Sequence, residues 1–215
     1  SDKVTIQEFF DSNNPSNYYN PVQQFRFSDG TVWNLNDIAS RVNVGADSHD
    51  ILIGGSGVDL AYGGGGNDVF YMGEGNDTAY GGSGIDVILL EGGNDIGWAG
   101  DHNDYLFGGA GNDQLNGEGG IDVLNGEAGD DTMYGGADGD FFYAGAGNDA
   151  GVGGDGNDIF VMDVGNDSAW GEAGQDYFYM GEGNDFASGG ADVDVFLGEG
   201  GDDVFEGGTG VDYAW

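Results

Sequence analysis

The sequence predicts an all-β repeat fold in which nine-residue rows stack on one another, each row a tight turn followed by a short strand. Three observations support this prediction. Residues 45–215 divide into nineteen rows of nine without insertion or deletion. Row position 6 is Asp in every row, and position 4 is Gly in fifteen of them. Positions 7–9 are mostly β-branched, aromatic or otherwise apolar, as in Val69-Phe70-Tyr71, which is typical of strands.

The glycines indicate where each row turns. Gly at positions 1, 2 and 4 permits positive φ and close approach of the backbone. Asn, which is frequent at position 5, tolerates the left-handed region. Positions 1–6 are therefore predicted to form a tight turn whose carbonyls point inward, and positions 7–9 a three-residue strand. No segment of 45–215 has the pattern of a helix.

Composition limits the partners of this chain. The 215 residues include 40 acidic and 3 basic side chains, for a formal charge of −37, which repels nucleic acid and anionic membranes. A hydrophobic content of 38% is too high for a permanently disordered tail. No Cys is present for a disulfide or a thiolate metal site, and no apolar run approaches the ~18 residues that span a bilayer. The chain is therefore expected to fold by binding many cations.

The rows resemble the Gly-Gly-x-Gly-x-Asp-x-apolar-x nonapeptide of the RTX (repeats-in-toxin) family of haemolysin-type calcium-binding proteins. The row 63–71 reads GGGGNDVFY and the row 108–116 reads GGAGNDQLN. The resemblance covers 45–215 and implies a right-handed parallel β-roll, a two-sheet β-solenoid with two rows, or 18 residues, per coil. We count the row that begins at Gly45 as zero, so that even rows supply one sheet and odd rows the other.

The resemblance also implies a ligand set for calcium between stacked turns. One turn supplies the carbonyls of positions 2 and 4 with its position-6 Asp, and the next supplies the carbonyls of positions 1 and 3 with its own Asp. One such site joins Gly64, Gly66 and Asp68 to Gly81, Ser83 and Asp86. The metal ligands predicted in this way are Asp50, Asp59, Asp68, Asp77, Asp86, Asp95, Asp104, Asp113, Asp122, Asp131, Asp140, Asp149, Asp158, Asp167, Asp176, Asp185, Asp194, Asp203 and Asp212, with Gly55, Gly57, Gly64, Gly66, Gly73, Gly75, Gly81, Ser83, Gly108, Ala110, Gly126 and Ala128.

Calcium suits these residues on chemical grounds as well. It takes six to eight hard oxygen ligands, whereas zinc favours Cys and His, and magnesium favours a rigid octahedron with retained waters. Nine gaps between even turns and eight between odd turns allow up to about 17 ions, whose charge of about +34 nearly cancels the −37 of the chain. Four rows lack Gly at position 4, and their sites are expected to be weaker; the residues there are Ser48, His102, Asp138 and Asp192.

The alternating strand positions predict a core and two outer faces. Position-8 side chains are expected to point between the sheets, large ones from even rows (Leu52, Phe70, Ile88, Leu106, Leu124, Phe142, Phe160, Phe178, Phe196, Ala214) against mostly small ones from odd rows (Ala61, Ala79, Gly97, Leu115, Met133, Gly151, Ala169, Ala187, Phe205). Positions 7 and 9 point outward. On the even sheet only Asn125 among them is polar. Such a face predicts contact with a second copy, a neighbouring domain or a ligand, unless its tyrosines are simply good strand formers.

Residues 1–44 form a separate N-terminal segment with ordinary composition. Val22–Phe27 alternates like a strand, Ser28-Asp29-Gly30 is a turn, Thr31–Trp33 is a second strand, and Asn36–Arg41 is predicted to be a helical turn. The segment resembles the one that precedes repeat blocks in large haemolysin-type proteins, and its expected role is to cap the first coil.

The motifs of several enzyme classes are absent. The sequence has no His-Glu-x-x-His, no Gly-x-Ser-x-Gly and no phosphate-binding loop with Lys-Ser/Thr, so we expect no catalytic activity. The family resemblance implies a module that folds on binding extracellular calcium, in a protein exported by type I secretion to the exterior or cell surface of a Gram-negative bacterium. The alternatives are a self-association or adhesion module that uses the even face, and a carbohydrate-binding module that uses Tyr62, Tyr80, Trp98, Tyr134 and Trp170 of the odd face.

Overall fold

The computed structural model describes the strands 24–26 and 32–34 and the continuous stretch 43–215. Two ten-stranded parallel sheets dominate this stretch, and successive strands alternate between them. Strands that neighbour each other in one sheet are 18 residues apart, as in the pairing of Leu52 with Phe70. The predicted all-β solenoid, with 18 residues per coil and even and odd rows in separate sheets, is therefore confirmed.

The strand bounds show how regular the stack is. The even sheet contains Ile51–Ser56, Val69–Glu74, Val87–Leu89, Tyr105–Ala110, Val123–Ala128, Phe141–Ala146, Ile159–Val164, Tyr177–Tyr179, Val195–Leu197 and Tyr213–Ala214. The odd sheet contains Asn43–Val44, Leu60–Gly65, Thr78–Ser83, Ile96–Asp101, Gln114–Gly119, Thr132–Ala137, Ala150–Asp155, Ser168–Ala173, Phe186–Ala191 and Val204–Thr209. The odd sheet thus takes in two residues that precede Gly45.

The strands are longer than the sequence predicts. Most have six residues, because the ladder continues from position 9 through positions 1–3 of the next row, as in the pairing of Gly64 with Gly82. The prediction of three-residue strands and six-residue turns was wrong in this respect. The turn is confined to positions 4–6. Glycines at positions 1–3 satisfy their backbone groups in the ladder despite their low strand propensity.

Position 8 forms the core, as predicted. Large even-row side chains such as Phe160 are fully buried and face small odd-row residues such as Gly151, where an added Cβ would lie 3.0 Å from the Phe160 ring. Four rings stack along the even sheet, with centroid separations of 4.4 Å for Phe142–Phe160 and 4.8 Å for both Phe160–Phe178 and Phe178–Phe196. Ala214 is an exception, because it lies exposed on the last coil, where no further strand covers it.

Position 1 also points into the core, which the sequence analysis did not anticipate. Its side chain follows position 8 by two residues on the same strand and therefore shares its face. All six residues other than Gly at this position are apolar and completely buried; they are Met72, Leu90, Ala99, Ala144, Met162 and Met180. Leu115 and Met133 are the two large aliphatic core residues at position 8 of the odd sheet, and position 1 of their rows is Gly108 and Gly126. A large residue at position 8 is thus accompanied by Gly at position 1, so large and small residues still alternate there.

The N-terminal segment is described only in part. Gln24–Arg26 pairs antiparallel with Val32–Asn34, which confirms the two predicted strands. The predicted turn at 28–30 lies outside the described residues. The predicted helical turn at 36–41 lies outside the described residues. Within the ranges given above no helix occurs, and hence none that is long and apolar enough to cross a membrane.

Candidate metal sites along the two edges

The position-6 aspartates form two buried columns, one along each edge of the stack. We call these the even edge and the odd edge after the rows that supply the turns. The sixteen aspartates from Asp59 to Asp194 are at most 2% exposed. Asp50, Asp203 and Asp212, at the ends of the columns, are partly exposed. A buried carboxylate requires a compensating cation or a full set of donors, because its desolvation costs several kcal/mol.

Each column is joined by a repeated backbone hydrogen bond. The N–H of one position-6 Asp donates to Oδ1 of the Asp 18 residues later, as from Asp131 N to Asp149 Oδ1 at 2.7 Å. The other oxygen, Oδ2, is buried and has no partner in any of the sixteen aspartates. Orphaned carboxylate oxygens are rare in folded proteins, and a continuous series of them indicates a missing positive charge.

The orphaned oxygen lies beside a backbone carbonyl of the next coil. A Cβ added at Gly108 would lie 2.5 Å from Asp113 Oδ2 and 2.9 Å from the carbonyl oxygen of Gly126. The same pair of oxygens recurs at Gly63, where Asp68 Oδ2 and the carbonyl of Gly81 converge. Two acceptors that converge without a donor between them repel each other, whereas a hard cation is attracted to both.

This arrangement includes part of the ligand set that the family resemblance implies. Asp68 and the position-1 carbonyl of Gly81 are brought together. Gly64 and Gly66 have φ of 99° and 112°, which is the left-handed region expected at positions 2 and 4. The Ser83 carbonyl already accepts the Gly66 N–H at 2.8 Å, so a calcium ion would use its second lone pair. Whether each predicted ligand contacts a metal ion remains a prediction.

Burial makes the ionised columns costly in the absence of a cation. Desolvation raises the pKa of the Asp104 and Asp140 carboxyls to about 8, partly offset by the backbone N–H that each accepts, and the neighbouring carboxylates, Asp122 first, add to the rise. The pKa is raised to about 7 for Asp95, Asp131, Asp167 and Asp176, by burial first. Divalent cations between the turns would reverse this cost.

The donor set fits calcium better than other metals. Within the described stretch no group of three or more His, Cys, Asp or Glu side chains is placed to hold one ion. Each gap instead offers two carboxylates and the carbonyls that surround them. Carboxylates combined with backbone carbonyls suit calcium, and a site of this kind lacks the side-chain nitrogen and sulfur ligands that zinc requires.

The exceptional rows depart from the pattern without losing the buried aspartate. His102, Asp138 and Asp192 replace Gly at position 4 and have φ of 88°, 73° and 76°. Burial raises the pKa of Asp122 to about 6, and the nearby Asp138 carboxylate adds to the rise. A further feature was not predicted from the sequence: position-2 acidic residues such as Glu127 adopt positive φ in place of Gly. Burial raises the pKa of Asp113, and the Glu127 carboxylate adds to the rise. The recurrence of Glu or Asp at position 2 in six rows was the available signal.

Comparison with protein families agrees with this geometry. The RTX calcium-binding nonapeptide repeat matches seven segments that together run without a gap from residue 44 to residue 214. The haemolysin-type calcium binding protein related domain matches residues 1–37, which confirms the resemblance seen in the N-terminal segment. A search of curated proteins gave no match. With its repeats matched over most of its length and its aspartates aligned in two buried columns, the chain belongs to the RTX family of haemolysin-type calcium-binding proteins.

Proposed function

We propose that this chain is a calcium-responsive folding module, expanded in the absence of calcium and compact when calcium fills the gaps between turns. The observation that supports this most strongly is the series of sixteen buried aspartates with an unpartnered Oδ2. The chain has only three basic residues, so it cannot neutralise the columns from within. Folding without cations would leave both columns charged and desolvated, and metal binding is therefore coupled to folding.

The proposal includes the setting in which the switch operates. Extracellular calcium modules commonly bind with dissociation constants of about 10⁻⁴–10⁻³ M. At such affinities the chain would stay unfolded in a low-calcium cytosol and fold outside the cell, as type I secretion requires. Family membership supports a location in the exterior or at the surface of a Gram-negative bacterium. The module is non-catalytic in this proposal and binds up to about 17 calcium ions, one for each gap between turns.

The test is a calcium titration of the 215-residue chain that is followed by circular dichroism and by hydrodynamic radius. In chelator we expect a disordered spectrum and a radius typical of an unfolded chain. In millimolar calcium we expect a β spectrum and a compact particle. Magnesium at the same concentration is the matched control and should leave the chain expanded. A full β spectrum in chelator would contradict the proposal.

A second candidate function is self-association through the outer face of the even sheet. Seven aromatic side chains on that face are 40–73% exposed, and no charged residue lies among its position-7 and position-9 side chains. An exposed apolar face of this length usually marks an interaction surface. We therefore retain self-association as a second function that depends on calcium-induced folding.

The carbohydrate-binding alternative has weaker support. Tyr62 and Tyr80 of the odd face stack at 4.9 Å with an interplanar angle of 6°, and Trp98 continues the stack at 6.5 Å from Tyr80. Rings stacked in this way cover each other's faces and present mainly their edges to solvent. Sugars generally bind to exposed ring faces, so titration with a panel of glycans should show no binding at this column.

A further inference from the structure

The outer face of the even sheet has a repeat of 36 residues, twice the length of one coil. Aromatic side chains occur at positions 7 and 9 in alternate even rows only, at Tyr71, Tyr105, Phe107, Phe141, Tyr143, Tyr177, Tyr179, Tyr213 and Trp215. The even rows between them carry Ile, Val or Leu at these positions, with Asn125 as the one polar residue. The odd sheet lacks this alternation, since Tyr62, Tyr80 and Trp98 follow one another in consecutive strands.

The alternation makes ridges and grooves. Tyr71, Tyr105 and Tyr143 are 43–45% exposed, whereas Val87, Val123 and Ile159 of the intervening rows expose a smaller fraction of their surface. Strands in a sheet lie ~4.8 Å apart, so the aromatic ridges recur at a spacing of ~9.6 Å. The even face is therefore a corrugated surface in which each aliphatic groove is one strand wide.

The acidic residues beside this face follow the same period. Position 2 of the following row is acidic on four of the five aliphatic strands, at Glu91, Glu127, Asp163 and Glu199, and is Gly55 on the first. On the aromatic strands the same position is glycine, at Gly73, Gly109, Gly145 and Gly181. Acidic residues on this rim are therefore ~9.6 Å apart, and each lies between two strands that carry no charge there.

We propose that the even face packs against the even face of a second copy of this chain, with the two stacks antiparallel. A two-fold axis along the strands reverses the order of the ten even strands. Because aromatic and aliphatic strands alternate over an even number of strands, this reversal places every ridge opposite a groove. Phe141 then faces the partner subunit's Val123, and Tyr143 faces the partner subunit's Asn125.

The same reversal separates the rim charges. Glu127 comes to lie opposite the partner subunit's Gly145, and Glu91 opposite the partner subunit's Gly181. If the two stacks ran in the same direction about a two-fold axis, each even strand would face its own copy and ridges would meet ridges, at a cost in packing. Shape thus selects the antiparallel arrangement, and that arrangement also keeps the rim charges apart.

The area of the face is sufficient for a stable dimer. A fully buried aromatic side chain removes about 200 Å² from solvent, so the exposed fractions of the seven most exposed aromatic residues correspond to roughly 700 Å². The aliphatic grooves add to this area. A standard interface buries about 800 Å² on each partner, and the even face reaches that size.

This inference rests on the proposed calcium-induced folding, since the corrugated face exists only in the folded stack. The first test measures molar mass by light scattering in millimolar calcium, with circular dichroism as an independent measure of folding. We expect a folded dimer. Tyr143→Glu should raise the dimer dissociation constant by roughly 100-fold or more, because the symmetric interface would bury two carboxylates. Tyr134→Glu, at the same row position of the odd face and with 42% exposure against 44%, is the matched control and should leave the dimer intact.

A second measurement tests the antiparallel arrangement through spin labels on introduced cysteines, since the chain contains no Cys of its own. Ile121 and Val211 are exposed at position 5 of the even edge. The two copies of a label at Ile121→Cys should lie roughly 10–15 Å apart beside the two-fold axis, because facing sheets pack ~10 Å apart and the two turns are offset by one strand spacing. Labels at Val211→Cys should lie ~43 Å apart, nine strand spacings along the stack.

Each other outcome overturns the proposal in a distinct way. A folded monomer in calcium would show that the face is covered within one chain or left open, and calcium-induced folding would stand. Equal distances at the two label positions would overturn the antiparallel arrangement. A mass that grows without limit would indicate head-to-tail stacking in place of a closed dimer. A chain that stays expanded in calcium would overturn the dimer and the proposed function together.

Discussion

The two edges of the stack share a buried aspartate column but differ in the rest of the turn. On the odd edge position 4 is Gly in all nine rows, and a series of Asn and Asp side chains at position 5 binds the next turn. Asn112 N–H donates to Asn94 Oδ1 at 3.1 Å, and Asp130 N–H donates to Asn112 Oδ1 at 3.1 Å. On the even edge all four exceptions at position 4 occur, and position 5 includes exposed apolar residues such as Ile85 and Ile121.

The difference shows which part of the turn is indispensable. Asp at position 6 is present in all nineteen rows, whereas Gly at position 4 is replaced by His102, Asp138 and Asp192 at positive φ. The carboxylate is therefore the chemical requirement, and Gly is one solution to a backbone requirement that other residues meet at a cost in strain.

The largest expected effect is common to both edges and depends on pH. Burial raises the pKa of Asp104 and Asp140 to about 8, compared with about 3.9 in an unfolded chain. A raised carboxyl pKa disfavours the folded state above the folded pKa, and this penalty disappears as pH falls below the unfolded value. In chelator we therefore expect the chain to become more compact and β-rich as pH is lowered from 8 to 4, which circular dichroism and small-angle scattering would detect.

In calcium the dependence on pH should be reversed. Protons compete with calcium for the same carboxylates, so the calcium concentration needed for half-maximal folding should rise between pH 8 and pH 5. A folding midpoint that is independent of pH over this range would show that the buried columns do not hold the metal.

The second-largest expected effect distinguishes aspartates in the middle of the two columns. Asp131 of the odd edge lies between turns with Gly at position 4, whereas Asp122 of the even edge lies between turns that carry His102 and Asp138. Asp131→Asn removes a carboxylate from two intact sites and should destabilise the calcium-bound chain by about 3 kcal/mol. Asp122→Asn should cost less, because its two sites are already weaker. Calcium titrations of the two variants provide the measurement.

A control at the end of the column sharpens this comparison. Asp212 is partly exposed and borders a single gap, so Asp212→Asn should destabilise by about 1 kcal/mol or less. Equal losses for Asp131→Asn, Asp122→Asn and Asp212→Asn would indicate diffuse screening by calcium in place of specific sites.

A smaller effect tests the backbone of each turn. Gly111 of the odd edge has φ of 134°, and a Cβ there would meet the carbonyl of Gly93, so Gly111→Ala should cost about 2 kcal/mol. Asp138→Gly on the even edge should stabilise by about 0.5 kcal/mol, because relief of strain is partly offset by the entropy of Gly. Denaturant unfolding in saturating calcium would measure both, and a loss of stability in Asp138→Gly would mean that its carboxylate is a ligand.

The smallest effect tests the side chains at position 5. Asn112→Ala leaves the Asp130 N–H without its acceptor and should cost about 0.5–1 kcal/mol. Ile121→Ala, at the same position on the even edge, removes an exposed side chain and should change the stability by less than about 0.5 kcal/mol. Losses of equal size in the two variants would contradict the distinction between the edges.

The sequence predicted the sheets, their alternation and the core at position 8, because the nine-residue period fixes which side chains repeat on which face. It did not predict that strands continue through positions 1–3, because the glycines that are common there favour a turn by propensity. They become part of a strand only through the hydrogen-bond ladder between stacked coils. For the same reason the buried Met72, Met162 and Met180 were missed, although position 1 carries only Gly or an apolar residue throughout.

The site was predicted in its residues but not in its detailed contacts. The invariant Asp marked the column, and the excess of negative charge indicated cations. The bond from each Asp N–H to Oδ1 of the next coil was not foreseeable, because it depends on the separation of residues that are 18 apart in sequence. The convergence of Oδ2 with a position-1 carbonyl was not foreseeable for the same reason. It depends on how two coils stack, which the sequence of a single row does not show.

The most direct test of calcium between the turns is anomalous diffraction from crystals grown in millimolar calcium. We predict two files of peaks, one along each edge, in which each peak lies beside an Oδ2 of a buried Asp and successive peaks are ~4.8 Å apart. Stronger peaks are expected on the odd edge than beside His102, Asp138 and Asp192. Density with ordered water or protonated carboxyl contacts in the gaps, and calcium bound only at exposed acidic side chains, would contradict the proposed sites.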